Sequence, residues 1–441
     1  MNKFKIWGIA LLIVATLLAG CGSKQDSSKN PVVTTKDQEE TKVQKEEVTV
    51  IEDNDKLEGE IVFGGARADI VDELQKAWAE PFMAEHPGVK ITLEGYKDID
   101  QTMMTRLAAN QLPDICILPQ KLSREDFSKY LVPLDELGFT EDTILNYHSG
   151  LGTDGTLYAV NPGTDLPGFI YNKKAFAEAG ITEVPRTRDE LLDACQKLKD
   201  KGITPIATGF KEGWTIASNY TDFMAQSLTA DPDVNNKALT EDYFREEQLY
   251  GVKLLRELHK KGYLEEDLMT ASWDGLKQDV ATGKAGMTLF ATWLPLQLPS
   301  FGADIEDIGM FPIPDSKALG VPATGWFYGI SKKTKYPELA KEFMKYVFQS
   351  NRFADGFQCL PAWKDAKSNM KFAEELKSYN IPMVQMNPDN PDLVKVKNKA
   401  AIDNGKFIQE YMLAKDEAAA EALVDKYNEK WAQARKEVLG K

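Results

Sequence analysis

The chain has 441 residues, 43% of them hydrophobic, and carries 68 acidic against 53 basic side chains, a formal net charge of −15. That length exceeds what one hydrophobic core serves and suits two domains, while the acidity argues against nucleic acid as a partner and for solubility. Three histidines, His86, His148 and His259, stand far apart with no H-E-x-x-H or cysteine partner, so a zinc site lacks ligands at workable spacing.

In the first twenty residues Lys3 and Lys5 precede an apolar run from 6 to 20. The run is shorter than the ~20 residues a membrane helix requires and reads as a signal peptide. Its exit, Leu18-Ala19-Gly20-Cys21, has the small residues and the thiol of a lipoprotein box. Lipid attachment at Cys21 and an extracytoplasmic, membrane-anchored location are expected. Residues 21–58 contain no aromatic side chain and are dominated by Ser, Thr, Lys, Glu and Asp. Nothing there offsets the cost of ordering a backbone, which predicts a flexible tether. With Cys21 taken by lipid, Cys116, Cys195 and Cys359 remain. Cys116 lies in an apolar run and Cys195 on a helix, so small buried residues are expected and no disulfide framework.

Residues 59–63 predict a buried first strand, and Gly64-Gly65-Ala66-Arg67 a sharp turn at its carboxyl end, where ligands sit in open α/β sheets. Ile70, Val71, Leu74, Ala77, Trp78 and Phe82 recur at helical spacing up to His86-Pro87-Gly88. A strand at 89–93, a helix at 103–109 and a strand at 113–119 follow, and this alternation implies a parallel, doubly wound sheet. Gly150, Gly152 and Gly155 spell G-x-G-x-x-G, but 156–160 reads as a strand where a dinucleotide site needs a helix N-terminus.

Asn161-Pro162-Gly163 bends a strand that resumes through Phe169-Ile170-Tyr171, so the chain is expected to leave one body and enter another here. Thr187 with Glu190 is a capping-box start for a helix carrying Leu191, Ala194, Cys195 and Leu198. Thr204-Pro205-Ile206-Ala207 reads as a short strand ending at Trp214. Residues 231–242 have part of a calcium-loop spacing, but Asn236 and Asp242 replace the usual Gly and Glu, and an ordinary acidic loop is the better reading. A helix over 243–259 and a glycine-bounded strand at 283–290, ending at Ala291-Thr292-Trp293, come next. The run 308–314 reads as a second crossing that returns the chain to the first body. A strand follows at 325–330, then a helix opened by Pro337, a third crossing, and helical pattern from 358 to the end.

No G-x-S-x-G elbow and no phosphate loop is present. A glycosidase built on two carboxylates stays open as an alternative, because sequence does not show carboxylates facing each other across ~5–9 Å. The positive signal is aromatic. Sugar rings offer apolar faces to flat aromatics and hydroxyls to carboxylates and amides, and Trp214, Trp293 and Trp326, with Tyr328 nearby, stand at ends of Gly-flanked strands. Singly, each such residue is more often core than ligand platform.

The order of elements from 158 to 214 resembles the family 1 extracellular solute-binding proteins, the maltose-binding-protein class that delivers ligands to ABC importers, and the likeness extends from Gly59 to the C-terminus. It implies an α/β, two-domain periplasmic-binding-protein-like fold, each domain a doubly wound sheet flanked by helices, joined by a multi-strand hinge. With the crossings, 59–162 and 306–352 would form the first domain and 163–305 and 353–441 the second. The resemblance implies a monomeric carrier, not an enzyme, with no cofactor and no metal, passing a carbohydrate to a membrane permease. Gly283-Lys284-Ala285-Gly286-Met287 matches the segment whose strand-end Trp stacks on sugar, here Trp293. Asp165, ahead of Tyr171-Asn172-Lys173, matches the acid that bonds hydroxyls. Pro113-Asp114-Ile115 matches a segment whose loop borders the cleft, which brings in Gln120. At the end of strand one, Gly64-Gly65-Ala66-Arg67 departs from the sugar binders and looks more like relatives that bind polyamines or other small organic ions. Arg67 there would suit an acidic ligand.

Overall fold

The strands at 115–117, 159–160 and 328–330 belong to one sheet and are buried at every residue, as predominantly apolar strands covered on both faces are. The structure, a computed structural model, describes residues 57–440 except 324, 368 and 369. The signal segment, Cys21 and the tether as far as 56 lie outside the described residues. The strands are β1 (Gly59–Arg67), β2 (Val89–Tyr96), β3 (Ile115–Ile117), β4 (Ala159–Val160), β5 (Gly163–Thr164), β6 (Pro167–Asn172), β7 (Thr204–Ile206), β8 (Ala285–Ala291), β9 (Ile308–Phe311), β10 (Leu319–Val321), β11 (Tyr328–Ile330), β12 (Leu360–Pro361) and β13 (Met383–Gln385). A five-stranded sheet runs β2-β1-β3-β11-β4, and a four-stranded sheet runs β7-β8-β6-β9.

In the first sheet β1 lies parallel to β2 and β3, while β11 is antiparallel to β3 and β4. Its core gathers Phe63, Trp78, Phe343 and Phe348. In the second sheet successive residues point to opposite faces. Phe169, Leu289 and Phe311 enter one core while Ile170, Phe290 and Met310 enter another, so both faces are covered. The helix Arg188–Asp200 starts with the expected box, the Thr187 hydroxyl accepting from the Glu190 amide and the Glu190 carboxylate accepting from that of Thr187.

Three connections join the two sheets, and β5 pairs with β12 between them. Gly163 is required there by close approach: a Cβ at this position would lie 2.3 Å from the Cys359 sulfur. Two expected crossings move. The run 308–314 begins as β9, paired antiparallel to β6 with Phe169 and Phe311 stacked 5.3 Å apart, so the chain returns only between β10 and β11. The third crossing falls after the helix Arg352–Phe357, because Phe353 and Phe357 pack with Trp78 in the first core.

Other readings are also corrected. β1 passes through Gly64-Gly65 with a bulge and ends only at Arg67. Trp214 heads the helix Trp214–Ser218 instead of ending a strand. The tail beyond 358 is not all helical: β12 pairs with β5, and β13 lies parallel to β10. Gly150, Gly152 and Gly155 lie before β4, and Gly152 bonds Thr156 in a turn. Cys116, Cys195 and Cys359 are buried.

Candidate functional site

A cavity of about 630 Å³ opens where the connecting segments pass between the sheets. One wall is aromatic. Gly213 adopts φ +59°, a conformation that costs a residue with a Cβ, and turns the chain so that Trp214 enters its helix with half its surface free, 52% exposed. Trp273 opens the helix Trp273–Thr282, capped by the Ser272 hydroxyl, which accepts from the Gly275 amide at 3.1 Å. Trp293 stands two residues past β8. Buried Phe290 on β8 touches all three rings, with centroids 6.2, 5.2 and 5.7 Å from Trp214, Trp273 and Trp293. Trp214 meets Trp273 edge-on at 5.0 Å, and Trp273 lies 5.9 Å from Trp293. The three indoles therefore form one continuous wall anchored on a strand.

The rest of the aromatic lining belongs to the other body. Trp326, between β10 and β11, meets Phe357 edge-on at 4.8 Å, and Phe357 stacks on Phe353 at 4.4 Å. Lys97 and Gln120, exposed just past β2 and β3, reach the cavity from the carboxyl ends of those strands.

The polar groups sit in the connection from β4 to β6. The Thr292 hydroxyl donates to Asp165 Oδ1 at 2.9 Å and accepts from the Leu166 amide at 3.2 Å. Burial pushes the Asp165 carboxyl up to about 6, against the lowering effect of the Thr292 bond. The Asn161 side chain is buried, its Oδ1 accepts from the Gly163 amide at 3.1 Å, and its Nδ2 has no partner. Asp165 is the only carboxylate among the described residues that line the cavity.

The structure thus brings together Asp165, Trp214, Trp293 and Trp326, with Gln120 at the edge. Tyr328 is a correction. It is fully buried, stacks on Phe63 at 5.2 Å and donates its hydroxyl to the Gly65 carbonyl at 3.1 Å, because the alternation of β11 turns it into the first core. Arg67 ends β1, and its side chain lies outside the described residues. Trp273 and Asn161 escaped the sequence reading. Trp273 follows an N-cap Ser, a signal that was available, whereas Asn161 looked like part of a bend. Asp231 pairs with Lys237 at 2.6 Å and Asp233 accepts from Asn236 and Asn387, so the acidic loop bonds to its own surroundings.

Comparison with known proteins adds a family. Residues 67–350 match the model described as bacterial extracellular solute-binding protein. The chain is 27% identical over 296 residues to the multiple sugar-binding protein of Streptococcus mutans, covering 63% of this chain and 68% of that one. It is 23% identical over 321 residues to the melibiose/raffinose/stachyose-binding protein of Bacillus subtilis, covering 70% and 75%. Among solved structures, a binding protein of an ABC transporter from Bifidobacterium animalis, in complex with mannobiose, superposes with a TM-score of 0.71 at 25% identity, over 86% of this chain and 95% of that one.

Proposed function

The chain belongs to the bacterial extracellular solute-binding protein family, and on that premise we propose that it captures an oligosaccharide between its two bodies and hands it to the permease of an ABC importer. The observation that carries this reading is the indole wall of Trp214, Trp273 and Trp293 facing a floor with a buried amide and a carboxylate. Flat rings cover the apolar faces of sugars while the floor bonds their hydroxyls. The sugar-binding relatives support it.

Ligand contacts made from both bodies favour a closed form over an open one. A micromolar ligand supplies roughly 8 kcal/mol, enough to bias a hinge that costs a few. Membership of a solute-binding family and the likeness to sugar-binding proteins support binding without turnover. Cys21 would carry the lipid that holds the carrier at the outer face of the membrane, with 21–58 as its tether.

The test is a thermal-shift and calorimetric screen with mannotriose, raffinose, stachyose and spermidine, with product analysis of each saccharide. A saccharide at a hundred times its dissociation constant should add about 2.7 kcal/mol to stability. Binding of spermidine alone would favour a polyamine carrier, and release of new reducing ends would favour a glycosidase.

A further inference from the structure

We propose that Asn161 and Asp165 form a hydroxyl-reading pair on the cavity floor, one donor and one acceptor that together select a polyhydroxylated ligand and reject a cationic one. The proposal rests on the carbohydrate reading above and names the atoms that enforce it.

Asn161 stands between β4 and β5 and is 2% exposed. Its Oδ1 accepts the Gly163 N–H at 3.1 Å, an Asx turn that orients the amide. Only the oxygen end can accept, so the nitrogen end must point the other way. Nδ2 there carries two N–H groups and meets no acceptor among the described residues. Position 325 beside it is glycine, and a Cβ there would lie 2.7 Å from Nδ2, so any larger residue would crowd the amide. Both Asn161 and Gly325 line the cavity. A buried amide donor left unpaired is unfavourable, and native proteins keep few of them without a ligand or water to fill them.

Asp165 offers the complementary group. Thr292 is fully buried, and its hydroxyl proton goes to Oδ1, since its oxygen already accepts the Leu166 N–H. The carboxylate of Asp165 otherwise faces the cavity. The floor therefore asks for a group that gives one proton to Asp165 and receives one from Asn161.

A sugar hydroxyl does both, having one proton and two lone pairs, and so does a pair of adjacent hydroxyls. An ammonium has protons only. It would satisfy Asp165 yet leave Asn161 unpaired, with the N–H dipole directed at a positive charge. The same floor that fits a neutral sugar thus disfavours a polyamine, even though a lone buried carboxylate would attract one.

Calorimetry on the full chain with mannotriose, raffinose and spermidine tests this, using Asn161→Asp and the reciprocal double variant Asn161→Asp with Asp165→Asn. A carboxylate oxygen at 161 still accepts the Gly163 N–H, but burying a second charge lowers ligand-free melting, so affinities are read well below the melting range of each variant. Asn161→Asp should weaken saccharide binding at least about tenfold, because one hydroxyl proton would face two carboxylates. The double variant should recover most of that loss, since donor and acceptor have changed places. If Asn161→Asp fails to fold, Asn161→Ala removes the donor without adding a charge and should also weaken saccharide binding. Saccharide binding unaltered in the single variant, or a double variant no better than the single, overturns the pair while leaving the carbohydrate reading intact. A parent protein that binds spermidine as well as a saccharide overturns the pair, and one that binds spermidine alone, or neither saccharide, overturns both.

Discussion

Replacing Trp214 by Ala separates a ligand platform from a structural ring more cleanly than any other change in the wall. Trp214 is 52% exposed although it lines the cavity. If a Trp side chain presents ~250 Å² in all, about 130 Å² of this one is free. A sugar covering half of that removes ~65 Å² from water, worth about 1.6 kcal/mol at ~25 cal/mol/Å². Aromatic contact adds ~0.5–1.5 kcal/mol, so Trp214→Ala should weaken binding by about 2–3 kcal/mol, roughly 30- to 150-fold. Without ligand the ring loses chiefly its edge contacts to Trp273 and Phe290. The fold should lose about 1 kcal/mol, well short of the ~3–5 kcal/mol of a buried Trp. Titration calorimetry with the tightest saccharide and urea denaturation of the ligand-free protein read the two numbers. Unchanged affinity, or a stability loss near 3 kcal/mol, would refute the platform role.

Trp293 lies at the edge of the core around Phe290, so Trp293→Ala should divide its effect, with ~1–2 kcal/mol of stability and about tenfold in affinity, read by the same two assays. Tyr328→Phe should cost ~1 kcal/mol in urea denaturation through the lost bond to the Gly65 carbonyl and leave ligand affinity unchanged. The folded Asp165 carboxyl, near 6, binds its proton more tightly than the ordinary value of 3.8. Its contribution to stability therefore rises as pH falls from about 6 to about 4, and Asp165→Asn should flatten that part of the melting-temperature profile relative to the parent. Cys21→Ser should move the mature protein from the membrane fraction to the soluble one; persistent anchorage would defeat the lipid assignment.

Local pattern was enough to read much of this protein. Alternating strands and helices from 59 to 119 declared a doubly wound sheet, and Thr187 with Glu190 declared a helix start, because each depends on neighbours close in the chain. The resemblance of the segment from Gly283 to Trp293, and of Asp165 ahead of Tyr171-Asn172-Lys173, to the solute-binding family pointed to residues that line the cavity. What sequence left open depends on partners far along the chain. Whether 308–314 crosses or joins the second sheet turns on pairing with β6, some 140 residues earlier. Tyr328 and Trp326 are two residues apart, yet one is sealed against Phe63 and the other lines the cavity. Trp273 and Asn161 belong to the site only because the long-range register of β8 and the turn at Gly163 bring an indole and an unpaired amide to the same space. Burial and hydrogen-bond satisfaction are properties of the whole packed chain, and no local window contains them.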